Sequence, residues 1–167
     1  MSCWMLGCVR KLLEMVRIRC SALQAHEKRV ALSFDGITLT EMLSYHKDWD
    51  ELSGLVSYGK FGSACSTADQ RVILKVRGLT LRWKQIIGYY PVKHSVQGEY
   101  LDQIIADAVN ALQETGLSTD VMVMDQESGQ WSWINSKGIT KDRPYIQFGE
   151  QKTHHTRSTT PYREPSK

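Results

Sequence analysis

RVALSFD (residues 29–35) and TDVMVMD (residues 119–125) are short apolar runs, and each ends in an aspartate. Runs of this length and composition read as buried strands. An ionised carboxylate closing such a strand is costly to hold unless something cationic meets it. If the two strands lie side by side, Asp35 and Asp125 become oxygen donors that can share a divalent metal, as in two-metal phosphodiester chemistry. Asp also opens many ordinary turns, and for either residue taken singly the turn is the commoner explanation. The segment between them decides the matter.

Working outward from residue 35, Gly36 follows the first aspartate and places no side chain beside it. Thr38–Tyr45 and Glu51–Tyr58 are strand-like and flank the polar run His46–Asp50, which reads as a β-hairpin. Lys60–Gln70 (KFGSACSTADQ) is small and polar and is expected as a surface loop. Arg71–Leu79 is strand-like with a break at Gly78, and Trp83–Val92 is a further strand stopped by Pro91. Gly98–Gly116 carries Leu101, Ile104, Ile105, Ala108, Val109 and Leu112 on one stripe, which predicts an amphipathic helix stopped by Gly116. The order is strand with Asp, hairpin, more strand, helix, strand with Asp. A crossover helix after an antiparallel run returns the next strand parallel, beside the first. Both aspartates are then expected at the same end of neighbouring strands.

The chain begins with another helical pattern. Leu6, Val9, Leu13, Val16, Cys20 and Leu23 recur at alternating steps of three and four, a seam that buries against the domain or pairs with a second chain. Residues 1–26 are therefore expected as an amphipathic helix, 27–148 as the core and 149–167 as a basic polar tail, disordered at least over Thr153–Lys167. From Ser136 onward seven basic residues (Lys137, Lys141, Arg143, Lys152, Arg157, Arg163, Lys167) face three acids (Asp142, Glu150, Glu164). Such a tail can touch phosphates, though solvated ends of this kind are common.

Composition narrows the class. The 167 residues fit one domain, and 41% hydrophobic with 23% charged content is that of a soluble globular chain. No apolar run is long enough for a membrane span, and charges at Arg10, Lys11, Glu14 and Arg17 interrupt any signal-peptide core. Cys3, Cys8, Cys20 and Cys65 show no metal-ligand spacing, so free thiols in a reducing, intracellular setting are expected. Trp83, Tyr89 and Tyr90 are expected in the core rather than as stacking platforms, Arg77 and Lys84 at the surface, and His46 and His94 as isolated. Trp131 and Trp133 suggest an extended segment with both rings on one face, an apolar patch if uncovered.

FDGITLTEMLSYHKDWDELSGLV, then LKVRGLTLRWKQIIGYYPV, then the helix and VMVMDQ resemble the N-terminal half of the ribonuclease H-like domain of P-element-type transposases, including those with THAP zinc fingers. The resemblance spans about Leu23 to Ile146, and VRGL followed by WKQ and GYY is its most specific piece. It implies an α/β, RNase H-like mixed sheet, incomplete at its C-terminal side, and a DNA-cutting and strand-joining enzyme of the three-acid type. Asp35 matches the first catalytic acid and Asp125 the second, both as Mg²⁺ ligands. DNA, the remaining transposase domains or a second copy would be the partners, and the nucleus the location. Several family features are missing from these residues. Gly36 stands where the family has Glu, Glu127-Ser128-Gly129-Gln130-Trp131 stands where an Asn is usual, and neither a THAP module nor the Asp-Pro-Pro-His-Leu-type segment is present. The third acid lies far downstream in the family, and Glu150 has no supporting context. The expectation is a transposase core fragment that does not cut DNA by itself. Its rival is a non-catalytic remnant that binds DNA or protein.

Overall fold

A computed structural model describes residues 7–8, 10–40, 43–48, 50–96, 98–124, 128–139, 145–148 and 151–157. The strands are β1 (Gly7–Cys8), β2 (Arg29–Thr38), β3 (Ser44–His46), β4 (Glu51–Ser53), β5 (Leu55–Ser57), β6 (Ser63–Thr67), β7 (Gln70–Gly78), β8 (Lys84–Val92), β9 (Ser118–Met124), β10 (Tyr145–Phe148) and β11 (Gln151–Arg157). The helices are α1 (Arg10–Ser21), α2 (Gly98–Glu114) and α3 (Ser128–Ser136), with short 3-10 turns at Ala25–Lys28 and Gly59–Phe61.

Seven strands of the described residues form one mixed sheet in the order β1-β8-β7-β2-β9-β11-β10. β2, β7 and β8 make an antiparallel meander, while β9 returns parallel to β2 and β11 parallel to β9. The crossover runs through α2, as a parallel return requires. The α/β mixed sheet expected from sequence, with a crossover helix and a parallel return strand, is the one found.

Period-two alternation decides which face each strand buries. In β7, Val72, Leu74 and Val76 are buried, whereas Arg71 and Arg77 on the other face are exposed. In β2, Val30, Leu32 and Phe34 point to the same side as those aliphatics. Against that face lies the full expected stripe of α2, with all six residues buried. Val16 and Cys20 of α1 and Trp133 and Ile134 of α3 join the same core. α2 stops because Gly116 takes a φ of +89° and the amide of Leu117 donates to the carbonyl of Leu112. This is a Schellman closure, for which glycine is the natural residue.

Several local expectations change. The first strand does not end at Asp35 but runs on through Gly36 to Thr38, because β7 continues to pair with it as far as Thr38↔Gln70. The expected single hairpin is two ribbons: β3 pairs with β4, and β5 pairs with β6. β6 lies in the stretch expected as a loop. Its SACST sequence offers no large apolar residue, and its order comes from backbone pairing with β5. Pro91 does not stop β8, which continues to Val92. The N-terminal seam is helical from Arg10, and Gly7–Cys8 pairs as an edge strand with β8.

The C-terminal part changes most. Trp133 lies in helix α3 rather than an extended segment and is 2% exposed, so its ring is core and not an open patch. Gly138, with a φ of +64°, closes α3, and the amide of Ile139 donates to the carbonyl of Ile134. Residues 151–157, expected within a disordered polar tail, form β11 between β9 and β10. Polar β11 is ordered by its two neighbours and by Thr153, whose buried hydroxyl donates to the carbonyl of Thr119 at 2.8 Å. Among the described residues no helix is long and apolar enough to cross a membrane. Cys20 is a buried and Cys65 an exposed free thiol.

Candidate metal-binding edge of the sheet

Asp35 is held by strand pairing. Its register partner on β7 is Ile73, which in turn faces Tyr89 on β8. It alternates outward from buried Phe34, so its side chain lies exposed on the sheet face away from the helices. Among the described residues it has no hydrogen bond or ion pair. A carboxylate left unpaired in water keeps its oxygens available to a hard cation such as Mg²⁺, which binds through one or two carboxylates and retains water ligands.

On its other side β2 pairs in parallel with β9, and the last described pair is Phe34 opposite Met124. In the sequence an aspartate follows each of them, Asp35 and Asp125. Asp125 and Glu150 lie outside the described residues, as do Asp48's neighbour Trp49 and residues 158–167. The parallel ladder supplies the relationship expected from sequence up to the pair that precedes the acids. Among the described residues no group of three or more His, Cys, Asp or Glu side chains is placed to hold a metal.

One pair at this end of the sheet was not legible beforehand. The Asp69 carboxylate accepts the backbone amide of His94 at 2.6 Å through Oδ1, and its Oδ2 lies 2.7 Å from His94 Nδ1. His94 has a φ of +60°, a left-handed conformation that this two-point contact holds. His94 is thus exposed but not isolated. The two residues meet because Gln70 and Val92 are register partners, a long-range fact with no local sequence signal. That row also contains Thr38, so Asp69 and His94 lie just beyond the end of β2 that carries Asp35.

Of the three aromatic residues expected in the core, two are there and Tyr89 is not. Trp83 and Tyr90 are buried, while Tyr89 is half-buried with the Arg71 guanidinium 5.3 Å from its ring centre. Arg77 and Lys84 are exposed and are register partners on adjacent strands.

Comparison with known proteins places this geometry in a family. Residues 5–138 match the family model of the TNP-like, RNase H N-terminal domain. No curated protein matches the chain. Among solved structures, the Drosophila P element transposase strand transfer complex is similar, with a TM-score of 0.70 at 17% identity. The alignment covers 90% of this chain and 30% of that one, so the chain spans under a third of that protein's length. At this identity the likeness is one of fold. With four-fifths of its residues inside the family match and a P-element-type sheet, the chain belongs to the TNP-like RNase H N-terminal domain family.

Proposed function

We propose that this chain is the metal-binding core segment of a P-element-like transposase, with Asp35 and Asp125 as Mg²⁺ ligands and DNA as the substrate of the intact enzyme. The observation that supports this reading most directly is the parallel pairing of Phe34 with Met124, immediately before the two aspartates. Asp35 contributes an exposed carboxylate that has no ion pair among the described residues, and Gly36 adds no side chain beside it. Magnesium at such a site supplies positive charge that activates a water or 3′-hydroxyl and stabilises the leaving oxygen of a phosphodiester. The third acid of the family pattern has no counterpart in the sequence. Two carboxylates therefore bind metal weakly, and the chain does not turn over DNA by itself. The nucleus is the compartment in which this chemistry would be used.

Mn²⁺ titration followed by amide line broadening tests the site, and nicking of supercoiled plasmid tests turnover. Broadening is expected at Gly36 and its neighbours, lost in Asp35→Ala and in Asp125→Ala, with no plasmid nicked. Absence of broadening near Asp35 would sink the metal site. Metal-dependent nicking that both substitutions abolish would instead overturn the claim that the segment is inactive.

A further inference from the structure

The exposed side of α1 carries a second stripe, distinct from the one it buries. Met15, Ile18, Arg19 and Ala22 recur at helical spacing and line one wall of an open groove of about 620 Å³, with Leu81 and Arg82 of the β7–β8 connection on the other. Met15, Ile18 and Leu81 are 57%, 66% and 38% exposed, a concentration of large apolar side chains at one place. A second open groove of about 700 Å³ on the bare sheet face shares Arg82 and Trp83 with the first and adds Lys75, Arg77 and Lys84.

The charge of this surface is one-sided. None of the described residues lining either groove is acidic. Lys75, Arg77, Arg82 and Lys84 have no ion pair among the described residues. Arg77 and Lys84 even stand directly opposite each other, an arrangement that costs stability unless an anion joins them. A second copy of this chain would bring the same cations against themselves. A phosphate backbone would satisfy the cations and leave Met15, Ile18 and Leu81 bare. An apolar stripe flanked by carboxylates satisfies both halves, and a helix is the element whose side-chain spacing meshes with the Met15–Ile18 ridge of α1 and Ala22 just beyond its end.

We propose that this continuous surface docks an amphipathic helix of a partner polypeptide, its apolar stripe on Met15, Ile18 and Leu81 and its flanking acids on Arg82, Arg77 and Lys84. The proposal does not depend on the metal site.

The test titrates isotope-labelled chain, in EDTA, with three probes. One is a synthetic helical peptide with a leucine stripe edged by glutamates, the second has lysines for those glutamates, and the third is a single-stranded oligonucleotide. The Trp83 indole N–H resonance reports on the junction of the grooves. The acidic peptide is expected to shift it and the basic peptide not, with Ile18→Ser and Arg82→Glu each weakening the complex about tenfold. Both substitutions fall on exposed side chains, and retained amide spectra confirm that the fold survives. Equal binding by the two variants overturns the proposal. So does tighter engagement of the same resonances by the oligonucleotide, which would assign the surface to nucleic acid. A concentration-dependent dimer that Ile18→Ser abolishes overturns it in favour of a second copy.

Discussion

Phe34 and Met124 are the last described partners of the parallel ladder between β2 and β9, and the chain continues from each of them into an aspartate. Both side chains are nearly fully buried on the helix side of the sheet, at 4% and 2% exposure. On β2 the next residue, Asp35, is where the alternation turns outward. The core therefore sets the position of this acid, although no acid is among the described residues of the core.

Because Asp35 is exposed and has no partner among the described residues, its charge contributes little to the fold. Asp35→Asn is expected to change unfolding free energy by no more than about 0.5 kcal/mol, while removing Mn²⁺ broadening near Gly36. Urea denaturation of both proteins checks the first half. A loss of several kcal/mol would mean that the carboxylate is structural.

Leu112 lies fully buried on α2 at the C-terminal end of the stripe. Truncation to alanine removes buried methyl groups and leaves a cavity, so Leu112→Ala should cost about 2–5 kcal/mol. Chemical denaturation measures this directly, and a smaller loss would indicate that the core collapses to fill the space.

Gly78 ends β7 under the Trp83 ring. A Cβ there would meet Trp83 Nε1 at 2.4 Å and the Leu81 carbonyl oxygen at 2.6 Å. One of these neighbours is backbone, so the clash cannot be relieved by a side-chain rotation. Gly78→Ala is expected to destabilise by about 1–3 kcal/mol, with a changed Trp83 indole resonance as its local signature.

Thr153 joins β11 to β9 through its buried hydroxyl. Replacing it with the isosteric valine leaves the Thr119 carbonyl without that donor, at a cost of about 1 kcal/mol. Hydrogen exchange should quicken first in β11, and unchanged protection there would show that the backbone ladder suffices.

Tyr58 and Tyr100 stack with ring centres 4.1 Å apart and planes 3° from parallel. Burial, and secondarily the neighbouring Tyr100, raise the Tyr58 phenol above its ordinary value of 10.0. The folded state then holds the phenolic proton more tightly than the unfolded chain does. The contribution to stability is fully present below pH 10 and is lost as pH rises through the folded value. Thermal melts across that alkaline range should show the decline in the parent protein and a shallower one in Tyr58→Phe.

How legible was this in the sequence? Where one face is buried, periodicity reports it directly, and so the α2 stripe read correctly residue by residue, while β7 was recognised as a strand. The order of elements then constrained the return of β9 beside β2. What stayed hidden depends on partners distant in sequence. SACST of β6 and the polar residues of β11 are strands because other strands pair with them, not because of their own composition. The Asp69–His94 contact follows from the register of β7 and β8. For α3 a signal was present, since Gly138 followed by Ile139 fits a helix closure onto Ile134, but the alternating tryptophans pointed to an extended chain.

The pairing of β2 with β7 has a further meaning. It continues beyond Asp35 as Gly36↔Val72, Ile37↔Arg71 and Thr38↔Gln70, so the carboxylate sits inside a ladder rather than at a free end. Shifting Asp35 along the sheet would break pairs on both sides of it. The first carboxylate of the proposed site is therefore a fixed point, and any adjustment of metal affinity that spares the sheet has to come from the groups placed around it.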